Sequence, residues 1–497
     1  MKIAFINDYA QQLGLQYLTS VLKAGGHEVR VFLDPQLFDD DIISIKPLAR
    51  IFDHRKKLVA ELKAYQPDLV GISVVTDFYQ WACAIAGMIK EAMDVPIIFG
   101  GIHPTSVPER VIQNKFVDMV CIGEGEGALL ELADSMSKGQ VDYSIRNIWF
   151  KKDGIVIRNA IRPLIEDIDA LPAPDTDIYF LNFPHFKKTG LYLISTARGC
   201  PNACSYCCHS YLHDLYKGKG RYVRQRSVAN VINELKRSKD LYGIKFVAFM
   251  DNCFGYDIAW LKEFSYEYKK EIGLTFECIM HPDHVNPEAV RYLKQAGCYA
   301  VTMGIQSWNE DIRKEVLSRD VDNNAMQQAV RLIQDEGMFL MTDSIFDLPG
   351  QNEQDIITCA YQYAHIKPKR IYFYMLRYYP KTAMTQMAKD RGWLTAERFE
   401  EVMDGVNVTS FAIGGDKVGR KTIQFQILFY LIDLLPKATS LFILDRKLYR
   451  FFPTIFGPAI IVILRNLVAF DINARILREG AINRYTYYML RKGLGKA

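Results

Sequence analysis

Cys200, Cys204 and Cys207 stand in the run RGCPNACSYCC, Arg198–Cys208, with the spacing C-x3-C-x2-C. They follow a predicted strand, Leu191–Thr196, and so fall in a loop able to wrap around an inorganic core. Three thiolates on a four-iron cluster leave one iron open, and an open iron can take a small chelating molecule. A structural zinc ion wants a fourth cysteine or histidine to complete its tetrahedron. Cys208 and His209 are near enough in sequence to keep zinc as the alternative, although adjacent ligands constrain the geometry badly.

Two glycine-rich stretches, FGGIHPTSVPE (Phe99–Glu109) and IGEGEGALLEL (Ile122–Leu132), follow other predicted strands. Glycine lets a backbone approach a bulky ligand closely, and a glycine-rich loop opening a helix can cradle a phosphate. No G-x-G-x-x-G follows the first strand, which weighs against a mononucleotide site. Glycines in tight turns are the plain structural reading.

The elements that must position these loops come in two series. In the first 140 residues, apolar runs at Lys2–Asn7, Glu28–Leu33, Leu69–Val75, Pro96–Phe99 and Met119–Ile122 alternate with helix-like stretches such as Leu15–Ala24. Such runs read as buried parallel strands in a doubly wound sheet, which binds ligands at the carboxyl ends of its strands. The loops to watch are Asp8–Gly14, Val75–Tyr79, Gly100–Thr105 and Gly123–Gly127. A hairpin and an acidic, proline-containing connector, Arg162–Asp175, come next. The alternation restarts with strands at Leu191–Thr196, Lys245–Met250, Thr275–Met280, Ala300–Gly304, Phe339–Phe346 and Arg370–Met375. Six β/α units suit a partial or complete parallel barrel, with its chemistry at the strand C-termini.

The 497 residues are enough for about three domains. With 49% hydrophobic and 24% charged residues the chain is globular, and a net charge of +4 gives no reason to expect nucleic acid. Ten cysteines without an N-terminal secretory segment point to a reducing, cytoplasmic compartment. The charge is uneven: Lys417–Ala497 holds 14 Lys and Arg against 4 Asp and Glu, a surplus of ten cations. This part is also rich in aromatic and long apolar side chains, with strongly apolar stretches at Ile423–Leu435 and Thr454–Leu464, neither a clean membrane span. It reads as a helical domain packed on the barrel and closing its mouth, or as interfacial helices in peripheral contact with a membrane.

The cysteine triplet, with Tyr206 just before its third member, closely resembles that of the radical S-adenosylmethionine (SAM) enzymes, over roughly Leu191–Trp393. The resemblance implies a [4Fe-4S] cluster on Cys200, Cys204 and Cys207. Its open iron would bind SAM, and one electron would yield a 5′-deoxyadenosyl radical that takes a substrate hydrogen. It places Tyr206, Asp251 and Asn252 (in FMDNCF), Gln306 and Arg319 (in GIQSWNEDIRKEVLSR), and Asp347 (in FDLPG) around SAM. Here Gln306 stands where an acid is common and Asp347 where a glycine is frequent. Arg319 suits a planar carboxylate.

The glycine-rich stretches resemble the cobalamin-binding domain that precedes the radical SAM barrel in one large class of these enzymes. That implies a corrin on the strand C-termini, near Asp8, Thr76, Gly100, Gly101, His103, Thr105, Gly123, Glu124, Gly125 and Glu126. The D-x-H-x-x-G motif is absent, Asp8 being followed by Tyr9 and Ala10, so no histidine is expected below cobalt.

The expected architecture is α/β. A Rossmann-like cobalamin-binding sheet (residues 1–140), a hairpin and linker (141–185) and a (β/α)6-type partial TIM barrel (186–394) precede a mostly helical, basic C-terminal domain (395–497). The expected function is methylation of an unactivated carbon of a hydrophobic or lipid-like substrate, with a flavodoxin- or ferredoxin-type electron donor. A non-methylating reaction of the same cofactors, such as oxidative cyclisation of a tetrapyrrole, is the alternative enzyme. A corrinoid-binding sensor or carrier is the alternative without catalysis. Methylthiolation is disfavoured, since that family has three further cluster cysteines in its N-terminal domain and only Cys83 and Cys121 are available here.

Overall fold

The computed structural model describes residues 1–40, 44–406, 419–454 and 472–493. Two compact units divide the chain, neither continuous in sequence. The first gathers Met1–Pro184, Tyr206–Tyr222 and Tyr378–Val408; the second gathers His185–Ser205, Val223–Arg377 and Thr409–Ala497.

The first unit holds a seven-stranded sheet. Its strands are β1 (Lys2–Asn7), β2 (Glu28–Leu33), β3 (Leu69–Ser73), β4 (Ile97–Gly100), β5 (Met119–Cys121), β6 (Ile148–Lys152) and β7 (Ile155–Ile157). The order is β2-β1-β3-β4-β5-β6-β7. The first five strands are parallel, as their buried apolar runs predict. The predicted hairpin is not a separate element: β6 pairs antiparallel with β5, and β7 with β6, lengthening the sheet by two strands. Helices cover the sheet, and Ile85, Ala86 and Ile89 of one pack with Ile72, Ile97 and Phe99 in a continuous core. Strand order reverses between β1 and β3, where a doubly wound sheet opens a ligand crevice. Close approach there requires Gly71, since a Cβ on it would stand 2.5 Å from the Phe5 ring.

In the second unit, β8 (Leu191–Ile194) leads into a short ladder of β9 (Ala197–Arg198) with β10 (Arg224–Gln225). The main sheet continues through β11 (Phe246–Phe249), β12 (Thr275–Met280), β13 (Cys298–Gln306), β14 (Phe339–Phe346) and β15 (Arg370–Met375). All six strands run parallel in chain order, β8 and β15 forming the two edges, which is a partial barrel. Its helices begin on good caps: Ser227, Asp322 and Asn352 each accept from a first-turn backbone N–H, and Asn352 with Asp355 forms a capping box.

Alternation along β14 separates two faces. Ser344 bonds the Tyr363 hydroxyl at 2.5 Å, and Phe346 stacks on Phe373 and approaches Phe429, so these residues face the helical layer. Met341, Asp343 and Ile345 therefore face the barrel interior, joined through register by Tyr372 and Tyr374. The aromatic run of the last strand thus splits, Phe373 going outward and Tyr372 and Tyr374 inward.

The helix Arg420–Leu434 lies against the outer flank of this barrel through Phe429, which meets Phe346, Tyr363 and Phe373. This helix thus packs on the barrel's side rather than over its mouth. Most of the apolar stretch Thr454–Leu464 lies outside the described residues. No helix among the described residues is long and apolar enough to cross a membrane.

Candidate active site

Cys200 and Cys204 are buried thiols in the loop after β9. The Asn202 N–H points at the Cys200 sulfur (3.5 Å), and Arg319 Nη1 donates to the Cys204 sulfur (3.6 Å). Ser205 anchors the loop, its N–H donating to the Leu317 carbonyl (3.0 Å) and its hydroxyl to that of Val316 (2.6 Å). Arg319 also donates to the Gly304 carbonyl (2.7 Å). Gly304, Asp343 and Tyr372 pair in one row across β13, β14 and β15, so the guanidinium, a carboxyl and a phenol share the interior wall.

Burial raises the Asp343 carboxyl to about 6, against the lowering field of Arg319. Burial raises Asp251 to about 6 as well, but its carboxylate accepts from the Thr196 N–H (2.9 Å) and hydroxyl (2.9 Å), which oppose that rise. Asp251 thereby ties the end of β11 to the start of the cysteine loop, while Asn252 is exposed. His281, the first residue after β12, is held down to about 3 by burial and then by the charge of Arg319. Gln306 is buried and Asp347 exposed, and both adopt left-handed backbone (φ 63° each), a conformation glycine takes more readily.

The remaining cysteine of the triplet belongs to the first unit. Tyr206 is half-buried, and Cys207 precedes the helix Cys208–Leu215. Ligand atoms of Cys207, Cys208 and His209 lie within 4.8 Å of one another, but His209 Nδ1 is bonded to the Tyr222 hydroxyl at 2.6 Å. The same helix leans on the sheet's carboxyl-end loops: Tyr211 donates to the Thr105 carbonyl (3.1 Å), and the Glu124 N–H donates to the Tyr216 hydroxyl (3.1 Å). Tyr379 likewise donates to Asp77 (3.2 Å) beside Thr76.

These loops frame a slot at the β1/β3 crevice, lined by Gly71, Gly100, Gly101, Gly123, Gly125 and Cys121 among others. Gly101 (φ 99°) has no room for a side chain, since a Cβ would stand 2.7 Å from the Val74 carbonyl oxygen. Four predicted glycines therefore meet there, while the predicted polar residues are engaged inside the fold. The Asp8 carboxylate accepts from the Ala10 N–H, Thr105 from the Gly123 N–H, and Glu124 from the Ile165 N–H. Thr76 bonds His103, which is buried and lies in tilted ring contact with Tyr79, and Glu126 is also buried. Sequence reasoning missed Gly71 and Cys121 as slot walls, and Asp343 and His281 on the barrel. An acid, the one charged residue at an inward position of β14, was the available signal for Asp343.

Residues 3–133 match the B12 binding domain family, and residues 194–360 match the radical SAM superfamily. The chain is a cobalamin-dependent radical SAM enzyme. Its cofactors are accordingly cobalamin, SAM and a [4Fe-4S] cluster. The residues present fit them: glycines open a narrow slot between apolar side chains such as Phe5, Leu15, Leu18 and Leu129, suited to a flat aromatic tail, and the cysteine loop offers thiol donors beside a fixed cation. The enzyme is 28% identical to an uncharacterised methyltransferase of Pyrococcus horikoshii, over 69% of this chain and 71% of that one. It is 24% identical to the anaerobic magnesium-protoporphyrin IX monomethyl ester cyclase of Rubrivivax gelatinosus, over 68% of this chain and 58% of the relative. Its fold matches the radical SAM methyltransferase TsrM of Kitasatospora setae with a TM-score of 0.64 at 21% identity, covering 79% of this chain and 77% of that one.

Proposed function

We propose that this enzyme methylates an unactivated carbon of a small hydrophobic or lipid-like substrate. Cys200, Cys204 and Cys207 would hold the cluster, and Arg319 would pair its planar fork with the SAM carboxylate. Tyr206, Asp251, Asn252, Gln306 and Asp347 would complete the SAM pocket, Asp251 chiefly by fixing the loop through Thr196. Gly100, Gly101, Gly123 and Gly125 would admit the cobalamin tail, with Asp8, Thr76, His103, Thr105, Glu124 and Glu126 shaping the loops around it. When bound, the cluster supplies the electron that cleaves SAM, and the corrinoid carries the methyl group. The protein's part is orientation and exclusion of water. Tyr372, Tyr374 and Met341 would present an apolar wall with Asp343 as its single acid. Module boundaries of 1–140 and 186–394, with 395–497 as the helical module and 141–185 joining the first two through a hairpin that extends the first sheet, belong to the same reading, as does a flavodoxin- or ferredoxin-type electron donor.

The observation that carries this reading is the Arg319 guanidinium held between the Gly304 carbonyl and the Cys204 sulfur, on the wall that Tyr372 shares. The likeness to the cyclase favours oxidative cyclisation as the second reading. Nucleoside products separate the two. Methylation consumes two SAM, so 5′-deoxyadenosine and S-adenosylhomocysteine form in equal amounts; cyclisation forms the first without the second. A Cys204→Ala variant should lose iron and both products yet keep cobalamin. Its retention of activity would overturn the assignment, and the absence of 5′-deoxyadenosine from the wild type would leave a corrinoid carrier.

A further inference from the structure

The helix Lys437–Asp445 buries Ser440 and Leu444, so its opposite side turns Ala438 and Phe442 to solvent, with Arg446 one turn further on. Phe442 is 55% exposed. At Lys447 (φ 52°) the chain turns into the 3-10 segment Leu448–Phe451, which packs against that helix. Residues three apart eclipse in such a turn. Leu448 and Phe451, 36% and 80% exposed, therefore point the same way, with Lys447 and Arg450 beside them. Tyr449 points inward and stacks on Phe425.

Charge is segregated here. The Asp433 carboxylate accepts from the Ile371 N–H (3.1 Å) and is turned toward the barrel, while the exposed Asp445 accepts from the Tyr361 hydroxyl (2.8 Å). Arg450 shares Glu353 with Lys421. Lys437, Arg446 and Lys447 are exposed, and no ion pair engages them among the described residues. Large apolar side chains standing in water between unneutralised cations match the boundary between anionic headgroups and acyl chains.

We propose that this corner of the enzyme docks on an anionic lipid bilayer. Phe442, Leu448 and Phe451 enter the acyl boundary, and Lys437, Arg446 and Lys447 meet the lipid phosphates. The test is flotation of the full-length, cofactor-loaded enzyme with vesicles of phosphatidylcholine containing one third phosphatidylglycerol. The wild type should float with these vesicles, weaken about tenfold or more in high salt, and ignore pure phosphatidylcholine. Phe442→Asp with Phe451→Asp, and separately Arg446→Glu with Lys447→Glu, should each weaken flotation about tenfold or more. Both should leave the melting curve and vesicle-free 5′-deoxyadenosine formation unchanged. A wild type that stays unbound, equal binding to neutral vesicles, or folded variants that float like the wild type would each overturn the proposal. Self-association of the wild type that the variants abolish, without vesicle binding, would assign the patch to a protein interface and overturn it equally.

Discussion

Arg319 donates through Nη1 to the Cys204 sulfur, 3.6 Å away, bringing a fixed cation to a thiol 115 positions earlier in the chain. Its second nitrogen is held by the Gly304 carbonyl, so the planar group keeps one orientation. A carboxylate arriving at that edge would meet a preorganised donor pair.

Removing that pair should weaken SAM more than it weakens the fold. Arg319→Ala should lower SAM affinity about 10- to 100-fold, the size of a lost charge-assisted hydrogen bond. Arg319→Lys should recover only part of it, a point charge lacking the fork. Calorimetric titration of the cluster-loaded protein measures this. Unchanged affinity would remove Arg319 from the SAM site.

The slot makes two glycines separable. A Cβ on Gly100 would meet only Cys121, at an ordinary 3.6 Å, so Gly100→Val should fold normally while filling the slot. The expected result is an unchanged melting temperature with cobalt content near zero. Gly101→Ala should instead destabilise the fold by about 1–3 kcal/mol, from its positive φ and its clash with Val74.

The Asp343 carboxyl gives a signed pH effect. Burial lifts it from 3.8 to about 6, with Arg319 opposing. Between those values the unfolded chain has released this proton and the folded chain keeps it, so stability falls as pH rises through the window and levels off above it. Asp343→Asn should remove that contribution. Its stability relative to wild type should rise from pH 4 to 6 by at most about 3 kcal/mol, as read by urea unfolding. Stability curves that run parallel across the window would count against the buried acid.

The zinc alternative is decided by substitution beside the triplet. Cys208→Ser and His209→Gln should leave iron content unchanged, the second costing about 1 kcal/mol through its lost bond to Tyr222. Cys207→Ser should abolish iron binding. Zinc in the purified protein, lost in the His209 variant, would reverse the assignment.

Strands of the two parallel sheets were the most legible elements. The bounds of β12, β14 and β15 follow from short runs rich in apolar, aromatic and β-branched residues, despite Glu277, Asp343 and Ser344 within them. The union of β6 with β5 was not legible, because pairing Met119 with Phe150 is a long-range choice that local composition does not encode. Nor was the placement of Tyr206–Tyr222 and Tyr378–Val408 in the first unit. Their attachment runs through tyrosine hydroxyls, those of Tyr211, Tyr216 and Tyr379, and such partners leave no periodic signature. At the candidate site, the cysteines and glycines could be singled out because the chemistry proposed for them is tied to residue type, and Arg319 because it matches a basic position of the family the chain resembles. Asp343 was not, because its importance comes from register with Gly304 and Tyr372.

The added hairpin changes what the first sheet offers to other chains. Without it, β5 would present a free row of backbone donors and acceptors. With it, one border is β7, only three residues long, and the other is β2, whose outward Glu28 and Arg30 pair with each other. A stunted border and a charged one both discourage strand addition from a second molecule. The module that must open its carboxyl edge to a large cofactor is thus guarded against aggregation along its two sides.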